Sequence, residues 1–360
     1  LEELGYYNNT YLNQGLNVYT SFNQDYQKVV EKSASEYTKD SKVETSSIVV
    51  EPYTSKILAI IGGKDYASSQ FNRATQANRQ IGSTIKPLLY YLALENGFTP
   101  ATTFLCEPTT FKLDDNSTYS PSNFNDKYAY KDVTLAQAIA VSDNIFAVKT
   151  HLFLGTDNLA SLIKKFGIKD VKANASLALG TLNTNIYNLA NMYNCLASEG
   201  KYNHLYTIEK ITNDAGKVLY QHEQEDKQLL EQDSCLELSQ LLTSTFNSTF
   251  STYLQATMAS YQLDNINACK TGSTDVDNLA VAYNPQVLVA SWVGYDDNRK
   301  METADDKTVA KKTVIDVLNY TNENKDVTWY QPTEDLQQIA INPLTGDFDE
   351  NGTVYWFKKD

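Results

Sequence analysis

Apolar residues in this chain follow two different periods, and the switch between them marks out its elements. Residues 47–51 (SSIVV) and 57–61 (ILAII) are short apolar runs on either side of Pro52-Tyr53-Thr54-Ser55. They read as a hairpin that ends at Gly62-Gly63. The strand pattern returns at 266–274 (INACKTGST), 278–283 (NLAVAY) and 286–294 (QVLVASWVG), with Asn284-Pro285 at the last turn. Between these two sets the period lengthens. Residues 83–97 read as a helix with Leu88, Leu89, Tyr91, Leu92 and Leu94 turned inward and Gly97 as its stop. Residues 134–250 read as mostly helical, broken near 155, 167, 180 and 200–217, with a hairpin insert at 206–220 around Asp214-Ala215-Gly216.

The remaining segments are shorter. Residues 16–22 alternate like a strand, 25–37 read as a helix and 38–46 as a polar linker. Residues 64–82 read as a polar loop and 98–133 as turn-rich. Residues 305–321 suggest a closing helix, and 326–360 a small β appendage. Two strands before the helical block and three after it predict one antiparallel five-stranded sheet built from both ends of the chain. With helices packed on it, the fold class is α/β (α+β), layered. The expected divisions are an N-terminal linker and small interdomain segment at 1–44, a main domain at 45–325 and the appendage at 326–360.

Composition narrows the partners. Thirty basic against 44 acidic residues give a net charge of −14, which argues against nucleic acid and supplies no polybasic segment for an anionic membrane. Cys106, Cys195, Cys235 and Cys269 are widely spaced without a C-x-x-C, so they read as small buried apolar residues rather than zinc ligands or a disulfide framework. No apolar run reaches 18 residues and no signal peptide opens the chain. A start at Leu1 reads as a piece of something longer.

Three strings carry the chemistry: Ser83-Thr84-Ile85-Lys86, Ser142-Asp143-Asn144 and Lys270-Thr271-Gly272-Ser273. On a helix, positions i and i+3 share a face, so the Ser83 hydroxyl and the Lys86 amine can meet. Pro87 has no N–H to give to the carbonyl of residue 83, so the helix must begin near Ser83. A helix start favours developing negative charge. A serine hydroxyl needs an adjacent base. His151, His204 and His222 lie outside all three strings, which disfavours a Ser-His-Asp triad. Lysine can be the base if burial or a neighbouring cation lowers its pKa, and Lys270 is a candidate cation. Ser142 can relay a proton, and the Asn144 amide can hold a lysine and a substrate carbonyl. Lys270, Thr271, Ser273 and Thr274 together suit a carboxylate. Gly272 lets another backbone pass close to the strand. The backbone N–H groups of Ser83 and Ser273 can form an oxyanion hole. The set needs no metal and no cofactor.

These strings, in this order, are the signature of penicillin-binding proteins and class A β-lactamases. The chain resembles the transpeptidase part of a bifunctional (class A) penicillin-binding protein over about residues 15–346. The likeness extends to Gly62-Gly63-Lys64-Asp65-Tyr66, Phe71-Asn72-Arg73-Ala74-Thr75-Gln76, Tyr119-Ser120-Pro121-Ser122-Asn123, Ala178-Leu179-Gly180 and Gly15-Leu16-Asn17-Val18-Tyr19-Thr20. It departs at Ser273, where the family often has threonine, and at Tyr130-Lys131, where glycine is usual.

The resemblance implies a penicillin-binding/β-lactamase-like serine acyltransferase fold with an all-helical subdomain. It implies a D,D-transpeptidase acting on peptidoglycan stem peptides that end in D-Ala-D-Ala. Ser83 would be the acylated nucleophile, Lys86 its base, Ser142 the proton relay and Asn144 the group orienting Lys86 and the donor peptide. Lys270, Thr271 and Ser273 would bind the terminal carboxylate, with Gly272 and Thr274 beside them. The implied partners are the donor peptide, an amine acceptor, β-lactam antibiotics and other cell-wall synthesis proteins. The implied location is the extracytoplasmic face of the bacterial cytoplasmic membrane, reached through an N-terminal anchor outside these residues. A β-lactamase would need a glutamate after the second string, and residues 145–198 contain none. A D,D-carboxypeptidase would use the same groups with water as acceptor, and a non-catalytic β-lactam sensor would stop at the acyl-enzyme.

Overall fold

Strand alternation sends successive side chains into opposite layers, and the architecture follows from that. The computed structural model describes residues 4–6, 15–113, 116–225 and 227–359. β1 (Leu16–Thr20) leads into α1 (Gln24–Tyr37), whose first turn is capped by the Asn23 side chain on the N–H groups of Asp25 and Tyr26. β2 (Glu44–Glu51) and β3 (Lys56–Ile61) form the expected hairpin. The helical block contains α2 (Lys86–Glu95), α3 (Leu135–Val141), α4 (Asn144–Leu154), α5 (Thr156–Lys165) and α6 (Ile186–Ala197). After the hairpin β4 (Ile208–Asn213) and β5 (Val218–Gln221) comes α7 (Gln232–Leu242). The chain ends with β6 (Ala268–Ser273), β7 (Asp277–Asn284), β8 (Val287–Gly294), α8 (Val309–Asn324) and the hairpin β9 (Leu336–Ile341) and β10 (Thr353–Lys358).

The central sheet is five-stranded and antiparallel in the order β6-β7-β8-β2-β3. Its two contributions join where β8 pairs with β2, Trp292 opposite Ser46 and Leu288 opposite Val50. Ile48, Val50, Leu279, Val281, Leu288, Ala290 and Trp292 pack into the layer that holds α2, α3, α6 and α7. Val49, Ala280, Ala282, Val289 and Val293 pack on the other side, against Tyr26 and Val30 of α1 and Val314, Val317 and Leu318 of α8. Fully burying such an aliphatic side chain contributes roughly 1.5–3 kcal/mol relative to exposure. The result is helix, sheet and helix in three layers, the layered fold expected from the strand count.

Two segments differ from the expectation, each because of partners distant in sequence. β2 begins at Glu44 rather than at 47. Thr45 and Ser46, read as linker, are fully buried, as is Ser47. The Thr45 hydroxyl donates to the Trp292 carbonyl (2.7 Å) and Ser47 to Ser291 Oγ (2.9 Å), so these two enter the sheet with partners, while the Ser46 hydroxyl has none among the described residues. The loop at 64–82 holds a helical turn, Arg73–Gln76, and a two-residue strand, Arg79–Gln80, paired with Asn183–Thr184. β1 pairs with β4, Leu16 opposite Asn213, and α1 covers the sheet.

Tyr130, where glycine would be usual, holds a left-handed backbone with φ 51°. The C-terminal hairpin docks on α7, where Gln240 receives the Trp356 N–H (2.7 Å) and donates to the Val354 carbonyl (3.1 Å). All four cysteines are buried and free. Among the described residues, no helix is long and apolar enough to cross a membrane.

Candidate active site

Ser83 sits in a 3-10 turn, Gly82–Ile85, that runs directly into α2. Pro87 occupies the first turn of α2, and the Lys86 N–H reaches back to the Ser83 carbonyl. The helix therefore starts where Pro87 requires it. Two glycines let other segments crowd this turn. A Cβ on Gly180 would fall 1.8 Å from the Gly82 carbonyl oxygen, whose residue donates its N–H to the Gly180 carbonyl (3.1 Å). A Cβ on Gly272 would fall 2.5 Å from the Ile81 carbonyl and 2.8 Å from Thr84 Cγ2. Edge strand β6 can thus lie directly along the turn that carries Ser83. Ser83 is half-buried, and its hydroxyl has no hydrogen-bond partner among the described residues.

Two lysines are fully buried beside it. Lys86 Nζ donates to the carbonyls of Ser142 (2.8 Å) and Asp143 (3.0 Å) and to Asn144 Oδ1 (2.8 Å), and it approaches Ser142 Oγ at 3.4 Å. Lys270 Nζ donates to Ser142 Oγ (2.8 Å) and to its neighbour's carbonyl at Thr271 (2.8 Å). The Ser142 hydroxyl lies between the two amines. Burial pushes the Lys86 amine down to about 7, and the Asp143 charge opposes that change. Burial also lowers Lys270 well below its ordinary value, and the charge of Lys86 lowers it further. The sequence offered two causes for a depressed Lys86, burial or a neighbouring cation such as Lys270; burial is the main one.

The Ser142-Asp143-Asn144 turn joins α3 to α4. Ser142 ends α3 in the left-handed region (φ 60°, ψ 44°), a conformation that costs a serine free energy. Asp143 is fully buried and starts α4 by accepting the Phe146 N–H at Oδ1 (2.7 Å). Its Oδ2 accepts from Asn123 Nδ2 (2.6 Å), Tyr253 OH (2.7 Å) and Cys106 Sγ (2.9 Å). Asn144 donates its N–H to Asn123 Oδ1 (2.7 Å) and its side-chain amide to the Ser122 carbonyl (2.7 Å). Cys106 is therefore more than an apolar filler. Sequence reasoning assigned no role to Asp143, Asn123 or Tyr253. The signals were Asp143's place in the second string and Asn123's place in a segment quoted for its family likeness.

On β6, Lys270 and Gly272 share the face of Ala268, toward the helical block. Thr271 falls on the opposite face with Cys269, so it meets the lysine cluster through its carbonyl. The Ser273 hydroxyl donates to Asn278 Oδ1 (2.7 Å) on β7. The Ser273 N–H lies beside Gly82, 3.1 Å from where a Cβ on that glycine would stand. The Thr274 hydroxyl accepts the N–H groups of Val276 (3.2 Å) and Asp277 (2.9 Å) and closes the β6–β7 turn. The fold therefore gathers Lys86, Ser142, Asn144 and Lys270 into one hydrogen-bonded cluster next to the turn that carries Ser83. It leaves the side chains of Thr271 and Thr274 outside that cluster.

No histidine enters this cluster. His151 bonds the Asn174 carbonyl, His204 pairs with Tyr202 and His222 with Tyr220. A serine at a helix start, with one buried lysine on that helix and a second on an edge strand of an antiparallel sheet, places the protein among the serine acyltransferases of the penicillin-binding and β-lactamase-like fold. A family model, the penicillin binding protein transpeptidase domain, matches residues 45–310, and the chain belongs to that family. It is 38% identical to Penicillin-binding protein 2D of Bacillus subtilis (strain 168) over 337 residues, 92% of this chain and 49% of that protein. It is 33% identical to Penicillin-binding protein 1A of Aquifex aeolicus (strain VF5) over 312 residues, 84% of this chain and 41% of that one. The chain thus spans about half the length of the curated relatives it matches. Penicillin-binding protein 1A from Haemophilus influenzae shares the fold with a TM-score of 0.79 at 23% identity, over 88% of this chain and 53% of that one. So does the PonA1 protein from Mycobacterium tuberculosis in complex with penicillin V, with a TM-score of 0.77 at 21% identity over 92% and 93%.

Proposed function

We propose that this chain is a peptidoglycan D,D-transpeptidase domain, with residues 45–325 as the catalytic body flanked by 1–44 and 326–360. The observation that carries the reading is the Ser142 hydroxyl held between two buried lysine amines, beside a serine at a helix start. Lys86, lowered to about 7, can be a free amine at neutral pH and accept the Ser83 proton. The Ser83 oxygen then attacks the carbonyl carbon of the penultimate D-alanine. The developing oxyanion is received by the backbone N–H groups of Ser83 and Ser273. The C–N bond breaks, and the departing D-alanine amine takes a proton passed from Lys86 through Ser142, which leaves an ester on Ser83. An acceptor amine attacks that ester, gives up its proton by the reverse route and frees Ser83.

Lys270 and the hydroxyl of Ser273 bind the donor's terminal carboxylate, with Thr271 and Thr274 framing the strand. Asn144 orients Lys86 and the donor peptide. A β-lactam presents the same carboxylate and a strained amide, so it acylates Ser83. The complex of the related PonA1 protein with penicillin V supports this. Release by water is slow because no glutamate serves the ester. Glu199, the first after the second string, is tied to Tyr53 (2.6 Å) and Gln232 (2.6 Å). The work is done on the outer face of the bacterial cytoplasmic membrane. The test is a fluorescent penicillin with intact-mass detection: one adduct forms at Ser83, and Ser83→Ala abolishes it. Labelling that persists in the variant would place the nucleophile elsewhere.

A further inference from the structure

Asp143 takes no part in the steps above, yet both of its carboxylate oxygens are engaged. Oδ1 holds the start of α4, and Oδ2 gathers three donors: Asn123, Tyr253 and Cys106. They lie 20, 110 and 37 residues away in sequence. All three are largely buried, with Asn123 at 3% and Cys106 at 1% exposure. The reason for such anchoring lies in the backbone on either side. The carbonyls of Ser142 and Asp143, together with Asn144 Oδ1, are the acceptors around Lys86 Nζ. They converge because Ser142 is held in the left-handed region. A strained residue keeps that conformation only where its surroundings over-determine it. Here the clamp on Asp143 does so.

We propose that Tyr253, seconded by Asn123 and Cys106, is a positioning residue for acyl transfer. Acting on Asp143 Oδ2, it holds the Ser142–Asn144 turn against Lys86 and shields Lys86 from the carboxylate. The proposal rests on Lys86 being the base. The charged and titratable groups around that amine are Lys270 from β6, Asp143 from the α3–α4 turn and Tyr90 one turn along α2, with Cys106 and Tyr253 behind the carboxylate. Asp143 favours the protonated lysine. Donors on Oδ2 draw that negative charge toward themselves. With one donor removed, the ammonium form gains and less free amine is present at neutral pH.

The experiment follows the rate of Ser83 acylation by fluorescent penicillin from pH 5 to pH 9 (~ range spanning the base's titration), with thermal melts in parallel. Tyr253→Phe keeps the ring and removes only the donor. The expected result is a rate at pH 7 lower by about two- to fivefold and a rising limb moved up by roughly half to one pH unit. Cys106→Ser, which retains a donor, should keep the wild-type limb, while Cys106→Ala should move it the same way by less. A limb that stays in place in Tyr253→Phe would overturn the proposal, whether or not the rate falls with the melting temperature. If Tyr253→Phe does not fold, the two Cys106 variants read the same limb, and equal limbs for both overturn it. A wild-type chain that takes no label at Ser83 would instead refute the functional reading.

Discussion

Cys269 and Lys270 are neighbours on β6, both fully buried, and they face opposite layers of the molecule. Cys269 joins the aliphatic layer beneath α1 and α8, where burial is favourable in itself. Lys270 joins the layer with Lys86 and Asp143, where burial of a charge is unfavourable unless partners offset it. The partners are present: Ser142 and Thr271 for Lys270, and Ser142, Asp143 and Asn144 for Lys86. They satisfy hydrogen bonds but do not restore full hydration, and this shortfall moves the lysines toward the free amine. On the proposed function, the lysine face lowers stability to gain reactivity, and the aliphatic face offsets the loss. Equal burial on the two sides of one strand has opposite thermodynamic meaning.

That contrast can be tested from both sides. Lys86→Ala should leave the circular dichroism spectrum unchanged and slow penicillin acylation by roughly 10²–10⁴-fold, the range for losing a general base. A near-normal rate would place the base elsewhere. With Lys86 at about 7 against an ordinary 10.5, acylation in the wild type should rise with pH. It should be about a hundredfold slower at pH 5 than on its plateau. In the window above it, from about 7 to 10.5, the unfolded chain binds a proton that the folded chain lacks, so this lysine makes stability increase with pH. A flat acylation profile would separate burial from reactivity. Gly272→Ala puts a methyl 2.5 Å from the Ile81 carbonyl, so the Ser83 turn must move. A displacement on the order of 1 Å should reduce acylation up to about a hundredfold, read by stopped-flow fluorescence. Leu318→Ala, on the aliphatic face, should lower stability by about 2–5 kcal/mol in urea titration. It should leave acylation per folded molecule unchanged, and a slower rate there would show that the two faces are not independent.

The parts of this site that read directly from sequence are those set by local rules. Ser83 and Lys86 share a helical face, Pro87 marks the helix start, and the runs at 57–61 and 286–294 are strands because aliphatic residues fill both layers. What stayed hidden depends on partners far along the chain. Thr45 looked like linker because the partner of its hydroxyl, the Trp292 carbonyl, is 247 residues away. The anchoring of Asp143 was hidden because its donors come from three separate segments. Which of the two possible causes lowers Lys86 was hidden too, since burial is a property of the folded layers and no spacing encodes it.

The join between β8 and β2 also has a consequence for the order of assembly. It connects positions such as Trp292 and Ser46, so the central sheet cannot close until nearly the whole helical block has been made. Pairings across so long a stretch form slowly, because loop closure must precede their reward. Until then the β2–β3 hairpin carries an open edge, the kind of surface on which other chains can template. Lys270 arrives on a strand from the same late portion. Ser83 therefore acquires its second lysine only when the sheet is complete, so a half-folded chain is not yet armed.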